Sequence, residues 1–153
     1  MGATTIWERW DGIRTDSSFE TATMNSFNHY AYGAIGDWMY RVMVGLDTEE
    51  DGVGYKKIVV KPHIGGGFTK AGAYYKTRYG KLAAGWMIEN GKLSLDVEIP
   101  ANTTATVYVP VQNAGEVMES GNPITGSKEK DYFVVKVGSG SYKFSTAWNG
   151  GGK

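Results

Sequence analysis

Two hydrophobic periods divide the chain. Between Asn28 and Leu46, the residues Ala31, Ile35, Trp38, Val42 and Leu46 recur at helical spacing, and Ala34, Met39, Met43 and Val44 widen the apolar surface beyond one stripe. Asp37 and Arg41, four apart on one face, are the only formal charges in this stretch. The pattern predicts a helix over 28–46 that is buried on more than one side. Asn25 or Ser26 is placed to cap its start, and Gly45 to end it. Ile13 to Asn25 is polar and aperiodic, which predicts a loop.

An acidic, glycine-containing linker, Thr48-Glu-Glu-Asp-Gly-Val-Gly54, follows, and the period then switches to two. Leu93, Leu95, Val97 and Ile99 alternate with Ser94, Asp96 and Glu98, so one face of this strand is predicted to be core and the other solvent. Asn90-Gly91 ahead of it is a strong hairpin signal, because both positions of a type I′ turn need positive φ. It predicts antiparallel pairing with Leu82–Glu89. Further strands are expected at 56–61, 69–77, 103–109, 117–120, 132–137 and 142–147, the last two joined by a hairpin turn at Gly138-Ser-Gly-Ser141. Eight short strands at about ten-residue spacing predict a mainly β chain built as an antiparallel β-sandwich over residues 55–153.

With 153 residues the chain suits one domain, or one domain with an appendage. It holds 22 Gly, about twice the usual ~7%, together with five Trp, ten Tyr and five Phe. That combination fits a sheet protein with many tight turns, and the aromatics fit either a heavily packed core or a site where sugar rings lie on aromatic faces. Sixteen basic residues balance sixteen acidic ones. This argues against nucleic acid or an anionic membrane surface as partner, since both call for a cationic face. No apolar run is long enough to span a bilayer. Without cysteine there is no thiol nucleophile, thiolate zinc site or disulfide framework.

The remaining chemistry is sparse. Two histidines without cysteine argue against a transition-metal centre, so no metal or cofactor is expected. Gly65-Gly-Gly67 lacks the Lys-Ser/Thr and the helix of a phosphate loop, and no serine lies in a Gly-x-Ser-x-Gly elbow. What stands out is Trp7-Glu-Arg-Trp-Asp-Gly12. Glu8 between two indoles suits glycoside hydrolysis, with Trp7 and Trp10 as a sugar platform. It equally suits Glu8 paired to Arg9 on a surface, with both indoles in a core.

That motif, followed by Ser26-Phe-Asn-His-Tyr-Ala-Tyr-Gly-Ala-Ile-Gly-Asp-Trp-Met-Tyr-Arg41, closely resembles the C-terminal end of bacterial α-L-rhamnosidases of glycoside hydrolase family 78. The resemblance continues through Gly54-Tyr-Lys-Lys-Ile-Val-Val-Lys-Pro-His63, Gly65-Gly-Gly67 and Ile99-Pro-Ala-Asn-Thr-Thr-Ala-Thr-Val107, and so covers nearly the whole chain. It implies that residues 1–47 are the last loop and helix of a catalytic (α/α)6 barrel, 48–54 a linker and 55–153 a C-terminal β-sandwich. It implies hydrolysis of terminal α-L-rhamnose with inversion, which needs a general acid and a general base ~6.5–9.5 Å apart. Glu8 is then the base and His29 a contact to a sugar hydroxyl; Trp7 and Trp10 are substrate-binding residues on the platform reading, or orient Glu8 by packing. The implied substrates are rhamnose-containing glycosides, and the implied location is the bacterial cytoplasm or periplasm.

The other barrel helices and the general acid lie upstream in that family. The chain is therefore expected to be a fragment that carries half of a catalytic pair and is inactive alone, with helix 28–46 free to self-associate. The alternative is a non-catalytic sandwich, either a structural appendage or a carbohydrate-binding module.

Overall fold

The computed structural model describes residues 2–112 and 115–149, and it divides into two compact units, Met1–Trp38 and Met39–Lys153. The second unit is a β-sandwich. Its strands are β1 (Leu46–Thr48), β2 (Lys57–Val60), β3 (Lys70–Thr77), β4 (Gly80–Glu89), β5 (Lys92–Ile99), β6 (Thr104–Pro110), β7 (Met118–Glu119), β8 (Asn122–Pro123), β9 (Ser127–Glu129), β10 (Tyr132–Val137) and β11 (Gly140–Ala147). One sheet runs β1-β2-β6-β10-β9 and the other β3-β4-β5-β11-β7-β8. Each of the eight expected strands is present. The three extra ones, β1, β8 and β9, have two or three residues each, too short to show a period of two.

The hairpin at Asn90-Gly91 forms as its residues dictate. Both φ angles are positive, 50° and 73°, and Glu89 opposes Lys92 while Trp86 opposes Leu95. Leu93, Leu95, Val97 and Ile99 are each at most 3% exposed. They join Leu82, Ala84 and Trp86 of β4, Phe144 of β11, Ile58 and Val60 of β2, and Ala105, Val107 and Val109 of β6 in one core shared by both sheets. Full burial of each large side chain is worth about 1.5–3 kcal/mol. The buried Trp86 indole keeps its polar handle satisfied by donating from Nε1 to the Met43 carbonyl at 2.8 Å.

The turn gives a direct test. Gly91→Ala puts a Cβ into open space, with nothing nearer than 3.9 Å, so its cost is conformational. A left-handed Ala costs about 1–2 kcal/mol. Urea denaturation should show a loss of that size, and an unchanged midpoint would contradict the turn assignment.

Two features depart from the sequence expectations. The pairing of β2 with β6 is parallel, Lys57 opposite Thr104 and Val60 opposite Val107, whereas the other pairings are antiparallel. Residues 138–141 also do not close a hairpin. β10 ends with Val137 opposite Ala105 in one sheet, and β11 begins with Gly140 opposite Ile99 in the other. The chain between Ile99 and Ala105 already crosses from sheet to sheet, and the link from Val137 to Gly140 crosses beside it. Each strand follows its pairing partner, and the turn residues follow the strands.

The expected 28–46 helix is shorter and changes character. An α-helix, α1, spans Tyr30–Trp38, and a π-helical turn follows over Met39–Val44. Gly45 then takes φ +82° and ends the helical run, so Leu46 becomes the first residue of β1 and is not helical. Neither Asn25 nor Ser26 caps α1, because the helix starts at Tyr30 and the Ser26 main chain is used elsewhere, in pairing with Glu8. The expected burial is also absent from α1: none of its residues is buried, with Tyr30 86%, Ile35 57% and Trp38 44% exposed. The first unit holds only this helix among its described residues, so it has no second helix to cover the apolar sides.

Candidate active site

The first unit is organised by pairing of residues 5–8 with residues 26–29. Glu8 N–H donates to the Ser26 carbonyl at 2.8 Å, and His29 N–H donates to the Ile6 carbonyl at 2.8 Å. The Thr5 hydroxyl adds a bond to the Phe27 carbonyl. These contacts bring Glu8 and His29, 21 positions apart in sequence, onto one locus. Ser26 N–H donates to Glu8 Oε2 at 3.1 Å, which fixes one carboxylate oxygen and leaves Oε1 3.8 Å from His29 Nε2. Both side chains are only partly open, 20% exposed for Glu8 and 26% for His29. His29 Nδ1 is buried and has no hydrogen-bond partner among the described residues.

The tryptophans form a separate aromatic group. The Trp7 and Trp10 rings lie 6.1 Å apart and tilted by 34°, and Phe27 meets Trp7 edge-on at 4.8 Å. Phe19 extends the group to Phe27 at 6.0 Å. Trp7 is half-buried, whereas Trp10 is 66% exposed, so Trp10 is not the core residue that one reading of the motif expected. That reading also paired Glu8 with Arg9. Instead, the Arg9 guanidinium takes Asp11, through bonds of 2.9 and 2.8 Å.

The neighbouring carboxylates are engaged. Hydrogen bonds from Arg9 hold Asp11 below the usual carboxylate range, and those from Arg14 do the same for Glu20. Asp16 is lowered by the Ser18 hydroxyl and backbone N–H. A lowered folded-state pKa means that the ionised form favours this local structure, an effect present above the ordinary carboxylate pKa and lost as pH falls through the lowered one. No cluster of metal-ligating side chains occurs among the described residues.

One neighbour escaped the sequence reading. The Tyr32 ring lies over the His29 imidazole, with centroids 4.7 Å apart and planes 30° apart. His29 directly precedes α1, and Tyr32 lies in its first turn. In a stretch that also contains Tyr30 and Tyr40, spacing alone did not single it out.

The second unit defines a class: a two-sheet β domain, preceded in sequence by a segment that carries one short α-helix. The chain belongs to the bacterial alpha-L-rhamnosidase C-terminal domain family, whose model matches residues 45–123. The model for the bacterial alpha-L-rhamnosidase 6 hairpin glycosidase domain matches residues 1–43. An alpha-L-rhamnosidase of Streptomyces avermitilis is 39% identical over 144 residues, covering 94% of this chain. One from Formosa agariphila is 37% identical over 156 residues, covering 97%. The chain spans only 14% and 17% of those relatives' lengths. The solved structure of the Streptomyces avermitilis enzyme, complexed with L-rhamnose, superposes with a TM-score of 0.76 over 94% of this chain and 14% of its own. The alpha-L-rhamnosidase from Dictyoglumus thermophilum superposes at 0.78, with 33% identity, over 95% of this chain and 16% of its own.

Proposed function

We propose that this chain forms the C-terminal end of an inverting α-L-rhamnosidase and that Glu8 is its general base. Residues before the sandwich complete the helical catalytic domain, His29 contacts a hydroxyl of the sugar, and Trp7 and Trp10 border the sugar site. The observation that carries this reading is the Glu8 carboxylate itself. One oxygen is tied to the Ser26 N–H, and the other faces His29 within the half-buried pair. An anchored, partly desolvated carboxylate with one oxygen uncommitted by a close hydrogen bond can take a proton from water without first reorganising.

A second carboxyl must protonate the leaving oxygen, and it needs a raised pKa to hold that proton near neutrality. In the first unit, Asp11, Asp16 and Glu20 are all shifted in the opposite direction by their partners. They therefore suit structural roles and not that of the acid. In this reading the acid comes from residues outside this chain, and the chain alone is expected to be catalytically incompetent.

Incubated with an aryl α-L-rhamnoside, the isolated chain should release no rhamnose above a buffer control, while the full-length enzyme turns over. Robust release by the chain alone would overturn the half-site reading.

The uncovered helix has a consequence for the isolated chain as well. Apolar burial favours association by about 25 cal/mol per Å², and Tyr30, Ile35 and Trp38 are all exposed. Residues 28–46 should therefore drive concentration-dependent self-association, visible by sedimentation. A strictly monomeric chain at high concentration would contradict this.

A further inference from the structure

We propose that Tyr32 is a positioning residue for the Glu8–His29 pair, its ring holding the imidazole so that Nε2 faces Glu8. The inference rests on the assignment of Glu8 and His29 made above and adds a residue to that site. His29 is fixed through its main chain on both sides: its N–H donates to Ile6 at 2.8 Å, and its carbonyl accepts from Gly33 N–H at 3.3 Å. Only the side-chain torsions remain to be set. Tyr32, its ring tilted by 30° at 4.7 Å, limits rotation of the imidazole. Glu8 Oε1, 3.8 Å from Nε2, sets which edge faces inward.

Nδ1 is buried and without a partner among the described residues. Nδ1 therefore supplies no hydrogen bond that would fix the ring plane, which leaves that to packing. Tyr32 itself is 53% exposed, so its contact with His29 is not core packing. Tyr30 lies farther from the imidazole, at 6.2 Å, and is 86% exposed.

The test is a double-mutant cycle on kcat/KM for an aryl α-L-rhamnoside, in the full-length enzyme carrying this C-terminus. Tyr32→Phe keeps the ring and should stay within about twofold of the parent, whereas Tyr32→Ala should lose about tenfold, the scale of a small misplacement of a reacting group. In a His29→Ala background, Tyr32→Ala should change the rate by less than about twofold, because the two residues act through one contact. Multiplicative losses, a Tyr32→Phe variant as impaired as Tyr32→Ala, or no loss in Tyr32→Ala would each overturn the inference. If Tyr32→Ala fails to fold by circular dichroism, Tyr32→Leu takes its place in the same cycle. Glu8→Gln is measured alongside. Normal turnover in that variant overturns the underlying assignment, and loss of turnover with multiplicative Tyr32 and His29 effects overturns the positioning role alone.

Discussion

In a full-length enzyme that contains this chain, Glu8→Gln is expected to lower kcat by about 10²–10⁴-fold, the usual contribution of a general base. KM should change little. Glutamine has the shape of glutamate, and its amide oxygen can accept the bond that Ser26 N–H now gives Oε2 at 3.1 Å. The pairing of residues 5–8 with 26–29 does not involve the side-chain charge, so the local fold should survive. What is lost is the ability to take a proton, since an amide is not basic at neutral pH. A variant with parent-like circular dichroism and kcat reduced by orders of magnitude fits the account. Near-normal kcat would remove Glu8 from the mechanism.

Gly45→Ala is expected to be the most damaging small substitution at the start of the sandwich. Gly45 has φ +82°, and a Cβ there would sit 2.2 Å from the main-chain carbon of Lys61 and the nitrogen of Pro62. Neither atom is the end of a flexible side chain. The same stretch carries the bond from Lys61 N–H to the Gly45 carbonyl, 2.8 Å, which precedes the pairing of Leu46 with Val60. A left-handed alanine costs about 1–2 kcal/mol, and overpacking adds about 1–3 kcal/mol. The total is a large part of the ~5–15 kcal/mol that holds a domain folded. Urea denaturation should therefore show a much lower midpoint than for Gly91→Ala, where only the conformational part applies. Equal effects at the two glycines would mean that the close approach at Gly45 is not real.

The parts of the fold legible in the sequence are those specified by local chemistry. Asn90-Gly91 fixes a turn, the turn fixes a register, and the alternation from Leu93 to Ile99 fixes which face is core. Where structure depends on distant pairing, the local signal misleads. Gly138-Ser-Gly-Ser141 has hairpin composition, yet it crosses between sheets because β10 lies beside β6 and β11 beside β5. The parallel seam of β2 with β6 leaves no mark on either strand's alternation.

The same division holds at the site. Glu8 between two indoles is a suggestive local pattern, but spacing alone could not choose between a sugar platform and a packed surface pair. Its link to His29 is made by main-chain bonds between two aperiodic segments, which leave no period in the sequence. Trp10 shows the limit from the other side, since a large aromatic in a cluster is expected inside and here stays open to solvent. The helix is shorter and more exposed than its pattern predicts, because a pattern records an apolar surface and not what covers it.

The central claim is that Glu8 activates water on the face of the sugar opposite the leaving group. Its most direct test is azide rescue of Glu8→Ala in the full-length enzyme, with the product's anomeric configuration read by proton NMR. Removing the carboxylate opens space where the nucleophile attacks, and azide needs no base. The account predicts that azide restores turnover and yields a rhamnosyl azide of inverted configuration, whereas water alone gives almost none. Parent-like hydrolysis by Glu8→Ala without azide, or a product that retains the substrate's configuration, would contradict it.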